Sequence, residues 1–228
     1  MLYGYGQLIW QGSQVTIELA VLSVFVAVLL GLIGACAKLF GNRLFRGIAQ
    51  VYTSIIRGVP DLVLMLLIFY SLQIALNQFT DWLHMDIIEI DPFVAGVLTI
   101  GFIYGAYFTE TFRGAFLMVP SGQLEAGHAY GFNRWQVFRL ILFPQMMRHA
   151  LPGVANNWLV TLKATALVSL IGLADVVKAT QDAGKGTYHL FFFTVLAGII
   201  YLFFTTLSNG VLWWLERRYQ FELKKPSA

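Results

Sequence analysis

Stretches of predominantly apolar residues, each long enough for a helix to cross a bilayer, recur along this 228-residue chain at 15–37, 59–76, 92–117 and 190–214. Crossing about 30 Å of hydrocarbon takes roughly 20 helical residues, and a spanning segment must satisfy its own backbone hydrogen bonds. A fifth stretch, 152–173, has the length but is interrupted by Asn156, Asn157, Lys163 and Thr165. Only 12% of the residues are charged and the mean hydropathy is +0.70, whereas a soluble domain carries roughly 25% charged residues. The chain reads as an all-α integral membrane protein, with residues 1–228 forming a single transmembrane domain.

Charge placement decides between four spans and five, because short cytoplasmic loops carry an excess of Lys and Arg. With five spans, Lys38, Arg43, Arg46 and Arg57 fall between the first and second. Arg113, Arg134, Arg139 and Arg148 fall between the third and fourth, and Arg217, Arg218, Lys224 and Lys225 follow the last. These twelve of the fifteen basic residues share one side. The other side collects Asp81, Asp86, Glu89 and Asp91, then Asp175, Lys178, Asp182 and Lys185. A four-span chain would put the C-terminal basic cluster outside, so five transmembrane helices are expected, with the N-terminus periplasmic and the C-terminus cytoplasmic. No Lys or Arg precedes Lys38, so the first span lacks the positive flank of a cleaved signal peptide and is expected to stay in the protein.

Several function classes lose their footing here. The surplus of three positive charges follows from membrane orientation, and no basic stripe with interleaved aromatics suits nucleic acid. His84, His128, His149 and His189 are scattered and Cys36 stands alone, so no metal set and no catalytic nucleophile with its base is expected. No G-x-x-x-x-G-K-[ST] phosphate loop occurs; Gly184-Lys185-Gly186-Thr187 lacks the upstream glycine and reads as a turn on the outer side.

The longest inner loop, 121–144, is a polar, helix-patterned island. Pro120 and Ser121 can start a helix, with Ser121 as its cap and Glu125 in the first turn, where the helix dipole favours an anion. Gly131 can end that helix in a left-handed conformation. Asn133 with Gln136 reads as a second cap with its box partner, and Pro144 as the stop of a second short helix. With Ala126, Gly127 and Ala129 small on one side, the pair offers a low knob to the groove of a soluble partner. Trp135, Phe138 and Phe143 equally suit a hairpin resting on headgroups.

Polar groups at membrane depth mark the remaining candidates, since charge in hydrocarbon needs water or a bundle interior. They are Glu18, Glu110, Asn156, Asn157, Lys163, Thr165 and Ser169. Glu18 lies near the outer end of its span and can reach the interface. Glu110 precedes Arg113 by three residues on one helical face, the spacing of a self-satisfying ion pair. Thr165 and Ser169, four apart, would share a face of span four. Gly101 and Gly105 read as helix-packing sites.

The run Glu125-Ala126-Gly127, followed by Gly131 and Pro144, resembles the cytoplasmic signature of membrane subunits of binding-protein-dependent ABC importers, with Gly127 where Ala is usual. R-G-V-P-D-L-V-L-M-L-L-I-F-Y (57–70), Y-F-T-E-T-F-R-G-A-F (107–116), L-K-A-T-A-L-V-S-L-I-G (162–172) and the ending S-N-G-V-L-W-W-L-E-R-R-Y are similar to the polar amino-acid permease family. Within it, they look most like subunits of histidine and lysine/arginine/ornithine importers. The resemblance implies a non-catalytic subunit in the bacterial inner membrane. Its partners would be a second related membrane subunit in a heterodimer, two cytoplasmic ATP-binding subunits and a periplasmic amino-acid-binding protein. This chain would bind no cofactor, ATP being used by the partner. Glu125, Ala126, Gly127, Gly131 and Pro144 would form a coupling helix pair between spans three and four. Glu110 or Glu18 would be the natural partner of a cationic cargo. The same machinery carrying glutamine or another polar amino acid, or an ATP-independent secondary transporter, are the alternatives.

Overall fold

The computed structural model describes residues 2–84, 86 and 88–220; Lys224 and Lys225 of the C-terminal basic cluster lie outside the described residues. Among the described residues there is no strand, and five helices are long and apolar enough to cross a membrane. The first, α1, is Gly6–Phe40, so it begins well before residue 15. After it comes α2, Arg43–Gly58, an amphipathic helix not expected from the sequence, capped by the Asn42 carboxamide oxygen accepting from Phe45 N–H at 3.0 Å. Next are α3, Asp61–Trp82, and α4, Pro92–Leu117. Asp91 caps α4 by accepting from the backbone of Phe93 and Val94, and Pro92 occupies the first turn, where no N–H is missed. Then come α5, Ser121–Ala129, and α6, Arg134–Val137, which runs through a π turn at Phe138–Leu142 into α7, Phe143–Ala164. A 3₁₀ segment, Thr165–Ile171, leads to α8, Val176–Thr187, and the chain closes on α9, Leu190–Gln220.

The bundle is organised on α1 and α4, which lie side by side and run the same way. Glycines set their spacing. A Cβ on Gly31 would lie 2.5 Å from the Cβ of Phe108, one on Gly34 2.9 Å from Thr109 Cγ2, and one on Gly101 2.6 Å from Val26 Cγ1. Gly105 lies against Leu30 and Gly96 against Leu19. Numbers rise together along both helices, as two spans separated by one crossing must. Close backbone approach stabilises such seams in lipid, where burial of apolar surface against apolar tails gains little. Helix α7 and the 3₁₀ segment after it run the opposite way along α4: Gly153 abuts Thr111, and Val168 abuts Gly96. A smaller cluster of Ile9, Val176, Ala179, Ala183 and Phe193 ties the start of α1 to α8 and α9.

Two prolines break the expectations placed on them. Pro144 does not stop a second short helix, and Pro152 does not open span four; one helical run extends from Arg134 to Ile171 over 38 residues. At the first, the Phe143 N–H bonds to the Phe138 carbonyl five residues back, so the helix is widened just where a proline ring would otherwise crowd the preceding turn. Pro152 sits inside α7 and forgoes one ladder bond, as helices packed in a bundle tolerate.

Candidate coupling and translocation site

The surface helix pair is built by local backbone chemistry. Pro120, with φ −62° and ψ 130°, flanks α5, so Ser121 is its first residue and makes no cap. Glu125 is consequently one residue further in than the sequence suggested, beyond the first turn. Helix α5 ends in a Schellman motif: Gly131, at φ +84°, donates to the His128 carbonyl, and Phe132 donates to the Gly127 carbonyl at 3.1 Å. Asn133 and Gln136 then form a reciprocal capping box, each side chain accepting from the other's backbone N–H at 2.9 Å. Gly127 is buried, and a Cβ there would lie 2.5 Å from Ile141 Cδ1 and 3.2 Å from Val137 Cγ2, so the glycine lets α5 seat closely on the second helix. Glu125 and Ala126 are left exposed on the outer side of this pair. Glu125 has no ion-pair partner among the described residues.

A polar track on α4 is the second element. Glu110 accepts from Lys38 Nζ at 2.5 Å and pairs with Arg113 at 2.9 Å. Lys38, its side chain 4% exposed, also donates to Gln50 and Thr53 of α2. One turn back, the Arg57 guanidinium stands 5.5 Å from the centre of the Tyr107 ring, and the Tyr104 hydroxyl donates to Asp61 at 2.8 Å. Gln50, Thr53, Ser54, Arg57, Gly58, Glu110 and Arg113 line an open cavity of about 360 Å³. Sequence reasoning found Glu110 and its Arg113 partner but missed Lys38, Arg57, Asp61, Tyr104 and Tyr107. The available signal was the i, i+3, i+6 spacing of Tyr104, Tyr107 and Glu110 on α4, opposite the charged ends of R-G-V-P-D.

The other candidates stay apart from this track. Glu18, Asn156 and Lys163 are exposed on the chain. Asn157 turns inward, donating to Thr111 at 3.0 Å. Thr165 is buried, its hydroxyl donating to the Leu162 carbonyl and lying 3.1 Å from that of Tyr201, while Ser169 donates to Ala166. Because both fall in the 3₁₀ segment, where three residues complete a turn, Thr165 and Ser169 do not share a face as an α-helix would have made them.

At the opposite end from the helix pair, Asp175 caps α8 through Lys178 N–H at 2.8 Å, and Val176 N–H donates to Thr16 of α1. Asp175 is fully buried and its second carboxylate oxygen is unpartnered. Burial holds this carboxyl up at about 6.

Residues 27–221 match the family described as the inner membrane component of binding-protein-dependent transport systems. The chain belongs to that family. It is therefore a non-catalytic transport subunit of the inner membrane. The chain is 65% identical over 225 residues, covering 99% of both chains, to the histidine/lysine/arginine/ornithine transport system permease protein HisQ of Salmonella typhimurium. It is 32% identical over 211 residues, 92% of both chains, to the glutamine transport system permease protein GlnP of Escherichia coli. A solved amino acid ABC transporter with histidines superposes with a TM-score of 0.81 at 32% identity, covering 94% of this chain and 95% of the other. The MetNI methionine ABC transporter, at 17% identity and a TM-score of 0.68, shares the fold.

Proposed function

We propose that this family member is one membrane half of an ATP-driven importer for basic amino acids, histidine, arginine, ornithine or lysine. The observation that carries the cargo assignment is the 65% identity across the full chain to a permease named for those amino acids. The carboxylate of Asp61, beside two tyrosines, adds a chemical reason, because a cationic side chain crossing the membrane needs an anion or π faces along its way. In this reading the α4 track from Tyr104 to Glu110 lines the pathway. Glu18, Asn156, Lys163 and Ser169 line it only where a second membrane subunit, or water between the two, covers them; Thr165, buried within this chain, stays off it.

The partners in this reading are a second related membrane subunit, a periplasmic binding protein and two cytoplasmic subunits that hydrolyse ATP. The basic ends of α1, α4 and α9 face the cytoplasm and the N-terminus the periplasm. Glu125 and Ala126 enter a groove of the ATPase. Because α6, the π turn and α7 are one continuous helix, a displacement of α5, seated by Gly127 on Val137 and Ile141, moves span four directly. Span four in turn touches α4 at Asn157 and Thr111, which links ATP-driven closure to the pathway. Gly131 and the capping box keep the α5 to α6 turn stiff enough to push.

A second reading, glutamine as cargo, is favoured by the relative named for glutamine, at half the identity. Uptake of labelled amino acids by the reconstituted complex separates the two. Transport of arginine and histidine, reduced at least tenfold by Asp61→Asn, supports the basic cargo and its pathway. Uptake of glutamine in preference to arginine, or basic uptake unaltered in Asp61→Asn, overturns one or the other respectively.

A further inference from the structure

Helix α2 is turned inside out relative to a surface helix of a soluble protein. Its polar residues Gln50 and Thr53 face inward to Lys38, while Leu44, Ile48, Val51 and Ile55 are all more than half exposed. At 16 residues, about 24 Å long, it is too short to span. Between this stripe and Phe102 of α4 lies a groove of about 610 Å³ with Gly47 in its wall and Arg43 at its edge. Its floor offers no free donor, because the Tyr52 hydroxyl is spent on the Phe102 carbonyl at 2.5 Å and the two rings pack at 4.9 Å. Arg43 has no acidic partner among the described residues, and Arg46 is exposed one turn along.

An apolar slot with a single cation at its edge is complementary to a hydrocarbon chain carrying an anion at one end. We propose that this groove holds an acyl chain of an anionic phospholipid, with its phosphate on Arg43. Basic pockets between helices near the membrane surface select anionic headgroups by charge. The chain's apolar burial supplies the rest of the affinity. The cation at the slot's edge favours an anionic lipid over an apolar helix, because such a helix satisfies its own backbone hydrogen bonds and brings Arg43 no counter-charge. The bound lipid would wedge α2 against α4 and so hold Gln50 and Thr53 on Lys38.

The test uses the complete transporter complex, purified and washed with detergent, then offered phosphatidylglycerol or phosphatidylcholine, with bound lipid counted by native mass spectrometry. Two substitutions probe the two halves of the site. Arg43→Gln removes the headgroup contact. Gly47→Leu fills the slot from a position where an added Cβ meets nothing within 4 Å, so the helix itself has no reason to fail. The wild-type complex is expected to retain one phosphatidylglycerol per copy of this chain. Arg43→Gln should lower phosphatidylglycerol retention at least fivefold and abolish its preference over phosphatidylcholine, and Gly47→Leu should abolish retention of both. A photoactivatable phosphatidylglycerol should label peptide 44–56 in the unmodified complex, independently of any variant's folding. Equal retention in all three proteins overturns the proposal. So does a disulfide formed by Val51→Cys with the second membrane subunit, which would make the groove a protein interface.

Discussion

The seam between α1 and α4 and the surfaces of α3 and α9 are made of similar residues and do opposite work. In its most apolar stretch α4 is 67% buried, whereas α3 and α9 are 11% buried each. Hydrophobicity does not separate them; glycine does. Gly31, Gly34, Gly101 and Gly105 each have neighbouring atoms where a Cβ would go, while Gly198 and Gly210 of α9 have none within 4 Å. In lipid, the faces a chain keeps for itself are marked by small residues and internal polar contacts. Its bare faces are left to lipid and partners.

The sharpest way to break the seam is through its buried cation, Lys38. Glu110→Leu strands Lys38 without its carboxylate and should cost roughly 3–5 kcal/mol. Lys38→Met combined with Glu110→Leu should recover most of that loss. Thermal unfolding in detergent reads both, and a double variant no better than the single one would refute the pairing. Next, Gly31→Leu should cost about 3 kcal/mol, because the Phe108 backbone as well as its side chain stands in the way. Gly198→Leu on α9 should stay within about 0.5 kcal/mol. Equal effects at the two sites would erase the distinction between seam and surface.

Much of this division is legible in the sequence, and the failures have particular causes. Gly101 and Gly105 announce packing, Asn133 with Gln136 announces a box, and Glu110 with Arg113 announces an ion pair, because each signal lies within one helical turn. Helix α2 was missed because its apolar stripe points outward, a pattern that resembles a loop when a buried stripe is sought. Lys38 meeting Glu110 spans 72 positions and leaves no local trace. Pro144 was misread because the rule that proline ends a helix ignores the π turn before it. Thr165 and Ser169 were misplaced because an α period was assumed where the chain tightens to 3₁₀.

Asp175 gives a smaller, pH-dependent effect at the end opposite the helix pair. Its folded pKa, about 6, lies above the ordinary aspartate value. The stability this carboxyl contributes is therefore complete at acid pH and is lost as pH rises through 6, where the buried group must ionise. Asp175→Asn keeps an acceptor for Lys178 N–H and cannot ionise, so its gain over the parent should be about 1.4 kcal/mol larger at pH 7.5 than at pH 5. A gain independent of pH over this range would mean that the folded carboxyl is already ionised at pH 5 and its pKa is not raised. Gly131→Ala, which meets no atoms, should cost about 1 kcal/mol through its left-handed backbone alone.

The measurement that tests the account most directly is ATPase activity of the reconstituted complex, stimulated by the binding protein and its amino acid, in the parent and in Glu125→Lys. Glu125 is exposed and has no ion-pair partner among the described residues, so the variant should fold and reach the membrane normally. If α5 is the contact through which ATP closure moves span four, stimulation and uptake should both fall by at least tenfold. Stimulation and uptake equal to the parent's would contradict the account and leave the helix pair a hairpin resting on lipid.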